Sequence, residues 1–168
     1  MEKLNYQQVI IVRHGEHRKE RLTEKGKKQL THTAQLISPL LIESTIIPFS
    51  SYYRRTNESL FVLQDQLIDK EGNYISNEWN ISDKALWGNV SEEEYDNFIK
   101  KANERKRGKI MLAVGHSPAL AQFPYIIASD YCDKELPDYE YGLGEGIFFN
   151  KETREAKIIS LEKGIIEI

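Results

Sequence analysis

Two short apolar runs, each ending in a histidine at a turn, constrain this chain more than any other feature. Val9 to Val12 runs into Arg13-His14-Gly15, and Ile110 to Val114 runs into Gly115-His116-Ser117-Pro118. Apolar runs this short, rich in Val and Ile and bounded by turn residues, read as strands buried on both faces. Such strands belong to parallel sheets covered by helices on either side. The remaining pattern agrees. Thr23 is placed to cap a helix whose Leu30, Ala34, Ile37 and Leu41 share one face, with Ser38-Pro39 bending or ending it. Ile46, Ile47 and Phe49 suggest another strand despite Pro48, and a helix carrying Thr56, Leu60, Leu63 and Leu67 follows Ser50-Ser51. Residues 70 to 90 read as irregular. Ser91 with Glu94 makes a capping box for a helix buried through Tyr95, Phe98, Ile99 and Ala102, which Gly108 is expected to end. Ser117 is expected to cap a further helix with Pro118 at its first position. Gly146 to Phe149 and Ala156 to Leu161 read as a terminal hairpin around Asn150 to Arg154. The expected fold is a three-layer α/β/α sandwich, with a mostly parallel sheet and a C-terminal hairpin, formed as one domain over residues 1–168.

Composition narrows the class. With 168 residues and 40% hydrophobic content the chain can bury a sizeable core, and a net charge of −3 gives no global attraction for nucleic acid or a membrane surface. The lone Cys132 excludes an internal disulfide, and no signal-peptide pattern follows Met1, so a cytoplasmic protein is expected. Positive charge is local instead. Between Arg13 and Lys28 there are seven Lys or Arg against three Glu.

In open α/β sheets the ligand crevice lies beyond the carboxyl ends of the strands, so His14 and His116 can meet there although 102 positions separate them. A neutral imidazole is a nucleophile, and a neighbouring guanidinium is a permanently charged fork matched to phosphate. Together they suit phosphoryl transfer to histidine.

At this point the sequence resembles the histidine phosphatase superfamily, also called phosphoglycerate mutase-like. Arg13-His14-Gly15 matches its Arg-His-Gly tripeptide, and Leu22 to Gln29 is similar to its "LTxxGxxQ" helix start. Ser50-Ser51-Tyr52-Tyr53-Arg54-Arg55 resembles "SSPLxRAxET", with Arg55 on the pocket arginine, Glu58 on the glutamate, Ser59 on the threonine and Tyr52 in place of proline. Gly115-His116-Ser117-Pro118 is similar to the "GHNP" form found in the small bacterial phosphohistidine phosphatases. The resemblance covers residues 8 to about 129, with the motifs in the family's order.

The resemblance implies that His14 attacks phosphorus to form a phosphohistidine that water hydrolyses. Arg13 and Arg55 would clamp the phosphoryl oxygens and His116 would hydrogen-bond one of them. Ser117 and Glu16 are further candidates for substrate contact, although a salt bridge from Glu16 to Arg18 or Arg21 competes with that role. Arg54 is the alternative to Arg55 if the motif slips by one. The family's acid, a glutamate, has no clear counterpart: Lys84 stands at one of its usual positions before Trp87-Gly88-Asn89, leaving Glu78 and Asp83 as candidate proton donors. The implied activity is metal-independent hydrolysis of a phosphomonoester or phosphohistidine, with no cofactor and a small phosphorylated substrate or phosphoprotein as partner. A mutase, or a scaffold that binds phosphate without turnover, is the alternative. His14 with His17 lacks the further ligands that zinc needs. Cys132 has Asp138, not arginine, six positions on, unlike a cysteine phosphatase. Gly142, Gly144 and Gly146 precede a strand and so make a weak dinucleotide loop.

Overall fold

The computed structural model describes residues 2–68, 72, 80–105 and 108–168. Its elements run β1 (Gln8–Arg13), β2 (His17–Arg18), β3 (Arg21–Leu22), α1 (Glu24–Ile37), β4 (Ile46–Ser50), α2 (Arg54–Gln66), β5 (Ile81–Ser82), α3 (Glu92–Asn103), β6 (Ile110–Gly115), α4 (Ser117–Leu120), α5 (Phe123–Tyr131), β7 (Gly146–Asn150), β8 (Glu155–Ser160) and β9 (Gly164–Glu167). The main sheet has the order β5-β4-β6-β1-β7-β8-β9, with β1, β4, β5 and β6 parallel and β7 to β9 antiparallel.

Successive side chains of β1 point to opposite faces, and each face has its own core. Val9 and Ile11 pack with Met111, Ala113, Phe98, Ile99, Phe123 and Ile127. Ile10 and Val12 pack with Leu112, Val114, Leu30, Ala34, Leu60 and Leu63. Helices α1 and α2 therefore cover one face, and α3 and α5 the other. This is the expected three-layer α/β/α arrangement.

Thr23 caps α1 by accepting from the Gly26 N–H at 3.1 Å, and the Ser91–Glu94 capping box starts α3. Pro48 is tolerated in β4 because β5 is only two residues long and pairs from Phe49 onward, leaving the rest of that edge without a strand neighbour among the described residues.

Several local expectations need correction. Strand β5 and a 3₁₀ turn at Lys84–Leu86 lie in the stretch read as irregular. The terminal hairpin continues into β9 through Gly164, whose φ of 78° is the left-handed conformation glycine adopts without strain. Helix α3 stops at Asn103, before Gly108. The cap of α4 is His116, not Ser117, because His116 is extended (φ −112°, ψ 166°) while Ser117 already forms the first helical residue.

Candidate active site

Strands β1 and β6 pair in parallel with Arg13 opposite Gly115, so the next residue of each, His14 and His116, leaves the sheet beside the other. Their ring centroids are 5.0 Å apart. The end of β1 is fastened on both sides. The Arg13 N–H donates to the Glu145 carbonyl (2.8 Å), the His14 N–H to the Gly115 carbonyl (3.1 Å), and the Gly144 N–H reaches the carbonyls of both Arg13 and His14 (3.1 Å each). Gly15 and Gly26 allow the following turn to lie against α1: a Cβ on Gly26 would fall 2.1 Å from the Glu16 carbonyl oxygen.

His14 is buried, and its Nδ1 lies 3.0 Å from the Gly15 carbonyl oxygen. A carbonyl only accepts, so this contact assigns the proton to Nδ1 and leaves the lone pair on Nε2. Burial disfavours the imidazolium and lowers the His14 pKa to about 4; the Gly15 bond opposes this, while His17, Arg55 and Arg13 add to it. His14 is thus neutral near pH 7. The pKa of His116 is lowered to about 3, again first by burial and then by His14, Arg55, His17 and Arg13. Its Nδ1 faces Arg55 Nη2 at 3.5 Å, a long contact with a group that only donates, so Nε2 carries the proton and donates to Ser51 Oγ at 2.8 Å. Ser51 Oγ lies 2.8 Å from Thr56 Oγ1, which in turn donates to the Tyr53 carbonyl at 2.7 Å. This chain of hydroxyls fixes the His116 ring.

The adjacent arginines of α2 diverge, as neighbours on a helix must. Arg55 turns inward, its side chain 12% exposed, with Nη2 toward His116 and Nη1 held by both carboxylate oxygens of Glu20 at 3.0 and 3.1 Å. Arg54 turns outward to Glu58 at 2.7 Å, and Glu58 also accepts the Leu22 N–H at 2.9 Å. Arg13 Nη1 donates to the Tyr141 carbonyl at 2.8 Å. Arg13 Nε, Arg55 Nε and His17 Nδ1 are buried and have no hydrogen-bond partner among the described residues. Two guanidinium groups beside a neutral imidazole with a free Nε2 lone pair are an arrangement that can bind an anion.

His14, Arg13, Arg55 and His116 therefore come together. The other candidates differ. Glu16 pairs with Lys25 at 2.9 Å and accepts from Thr23 Oγ1, not with Arg18 or Arg21, and the Lys25 bond leads the effects that hold its carboxyl below the usual range. Asp83 caps the 3₁₀ turn through the Ala85 N–H (3.0 Å) and pairs with Lys101 (2.9 Å), so both of its oxygens are engaged. Lys84 pairs with Glu94. Glu78 lies outside the described residues. Ser117 is exposed on the first turn of α4.

Four further residues border the site, and the sequence reading placed none of them there. Glu20 reaches Arg55 from the turn between β2 and β3, two strands of two residues each. His17, on the same ribbon, sets its ring 4.8 Å from that of His14. Tyr53 and Trp87 stack at 4.8 Å beside His116. The charged stretch 16 to 22 carries no apolar alternation to announce a ribbon, and the aromatic pair joins residues 34 positions apart. Among the described residues no group of three or more His, Cys, Asp or Glu side chains can hold a metal ion, and no helix is long and apolar enough to cross a membrane.

No protein-family model matches the chain, and no curated protein matches it significantly by sequence. Solved structures do match. The protein histidine phosphatase SixA, in complex with tungstate, aligns at a TM-score of 0.55 and 13% identity, over 96% of this chain and 94% of its own. SixA from Agrobacterium tumefaciens gives a TM-score of 0.57 and 19% identity over 92% and 95%. An Escherichia coli protein assigned as an α-ribazole-5′-P phosphatase gives 0.55 and 13% over 98% and 95%. The chain has the histidine phosphatase fold.

Proposed function

We propose that this histidine phosphatase-fold chain hydrolyses a phosphomonoester or phosphohistidine through a phosphohistidine intermediate. The observation that carries the reading is the His14 imidazole, whose Nδ1–H is tied to the Gly15 carbonyl so that the Nε2 lone pair is available beside His116 and Arg55. The phosphatase names of the matched structures support it.

In this reading the phosphoryl dianion binds between Arg13, Arg55 and His116. His14 Nε2 attacks phosphorus as the bond to the leaving group breaks. Arg13 and Arg55 spread the charge of the equatorial oxygens, and His116, its cation stabilised by the bound anion, donates to one of them. Water then attacks the phosphohistidine and returns His14 to its neutral form. The substrate is a small phosphorylated molecule or a phosphoprotein, and the setting a reducing cytoplasm, as the single cysteine suggests.

Brief incubation with radiolabelled phosphoramidate, followed by quenching in alkali, is expected to leave label on the peptide containing His14. The label should be stable to base and lost in acid, as a phosphoramidate bond is. Absence of label, or label on another residue, would overturn the reading in favour of a scaffold that binds without turnover.

Glu20 adds a quantitative expectation. Its carboxylate competes with phosphate for Arg55, but at 55% exposure the pair is weak, within the roughly 0.2–1 kcal/mol typical of exposed ion pairs. Glu20→Gln is therefore expected to tighten inorganic phosphate binding by up to about fivefold in a calorimetric titration. Weaker binding in the variant would mean that Glu20 positions Arg55 and does not compete for it.

A further inference from the structure

The wall of the pocket nearest His116 is aromatic and open. Trp87 stacks on Tyr53 with centroids 4.8 Å apart and planes at 24°. Both rings border the reacting groups: Trp87 lies 4.3 Å and Tyr53 5.3 Å from the His116 ring, and the Arg55 guanidinium sits 4.8 Å over Tyr53. Yet Tyr53 is 41% and Trp87 39% exposed, whereas rings that serve the core, such as Phe98 and Phe123, are buried.

The pair is also held in place. Trp87 N–H donates to the Lys84 carbonyl at 2.9 Å, and the Asn89 N–H to Gln122 Oε1 at 3.0 Å. Between them Gly88 adopts φ 92° and lies so close to α4 that a Cβ would fall 2.4 Å from the Ala119 nitrogen. The Tyr53 carbonyl accepts from Thr56 Oγ1, in the same chain of hydroxyls that fixes His116. An exposed, preorganised aromatic surface against the reacting groups presents a flat apolar face to whatever the phosphoryl group carries.

We propose that Trp87 and Tyr53 form the leaving-group subsite and select phosphates of planar aromatic groups, as in an aryl phosphate. The inference rests on the proposed phosphoryl chemistry and adds its specificity. As the bond from His14 Nε2 to phosphorus forms, the P–O bond to the aryl group breaks, and its electron pair leaves on the phenolate oxygen, which takes a proton from water. A phenolate needs little help from an acid, which suits a pocket in which Asp83 is already engaged by Ala85 and Lys101.

The test compares phenyl phosphate with hexafluoroisopropyl phosphate, whose leaving groups differ little in acidity, in wild type, Trp87→Leu and Trp87→Phe. Wild type is expected to prefer the aryl ester in kcat/KM. Trp87→Leu should lower that preference about tenfold, mostly through KM, and Trp87→Phe should restore most of it. Equal losses on both esters, or none, would overturn the subsite. Calorimetric binding of phenylphosphonate against methylphosphonate makes the same comparison without turnover. A wild-type preference for the phenyl ligand that Trp87→Leu abolishes supports the subsite even if neither ester is hydrolysed, a result that would count against the hydrolase reading alone. Equal affinities for the two phosphonates would overturn the subsite even if labelling of His14 succeeds.

Discussion

His14→Ala is expected to lower kcat by on the order of 10⁶, the usual cost of removing a nucleophile. No other imidazole can take its place: the Nε2 of His116 is committed to Ser51, and His17 lies on the ribbon at the side of the His14 ring. The variant should fold, since the backbone ties at the end of β1 do not involve the side chain. It should also still bind phosphate, because Arg13 and Arg55 remain. Turnover above a tenth of the wild-type rate would sink the assignment. The protonation state is testable too. A buried imidazole resists charging, so its pKa falls and the neutral form persists to lower pH; in an NMR titration of the free protein His14 should charge only near pH 4. An ordinary value near 6.5 would show that the ring is not held as described.

The second large effect belongs to Arg55→Lys. Lysine keeps the charge but cannot contact Glu20, approach His116 and lie over Tyr53 at once, and it has no planar fork for phosphoryl oxygens. Loss of one preorganised donor to developing charge typically costs about 10²–10³ in kcat, and that is the expected fall. Arg54→Lys should change kcat by less than about threefold, because Arg54 makes only a surface pair with Glu58 one turn along the helix. Steady-state kinetics of the two variants check the assignment. A larger effect at Arg54 would mean that the two arginines exchange roles when substrate binds.

The contrast between these arginines shows what the sequence could and could not carry. Strand ends, caps and motif order depend on neighbours within a few residues, so β1, β6, the Thr23 cap and the Ser91–Glu94 box were legible, and with them His14, His116 and Arg55. Partners that no motif marks, brought together only by tertiary folding, were not. Nothing near Glu20 marks it as the ligand of an arginine 35 positions later, and nothing near Asp83 announces Lys101. As a result Asp83 stood as a candidate donor with its cap and ion pair unseen, and Glu20, which does reach the pocket, went unnoticed. Strands of two residues, such as β2, β3 and β5, are too short for any periodicity to show. The misplaced start of α4 has a related cause. Ser before Pro is a good capping signal, but here the chain is pinned one residue earlier, where the His116 N–H donates to the Leu86 carbonyl at 3.1 Å.

The double fastening of the end of β1 separates what is constant in this site from what is free to change. Bonded to β6 on one side and to the loop before β7 on the other, the backbone carrying His14 sits at the centre of the sheet, where local opening is as costly as unfolding the domain. The turn bearing Glu20 and the segment bearing Trp87 stand outside the main sheet, on a ribbon of two-residue strands and after a 3₁₀ turn. Substitutions there can redraw which molecules are accepted without disturbing the chemistry. In the proposed reading, a chain built this way can acquire new substrates one rim residue at a time, while His14 is inherited unaltered.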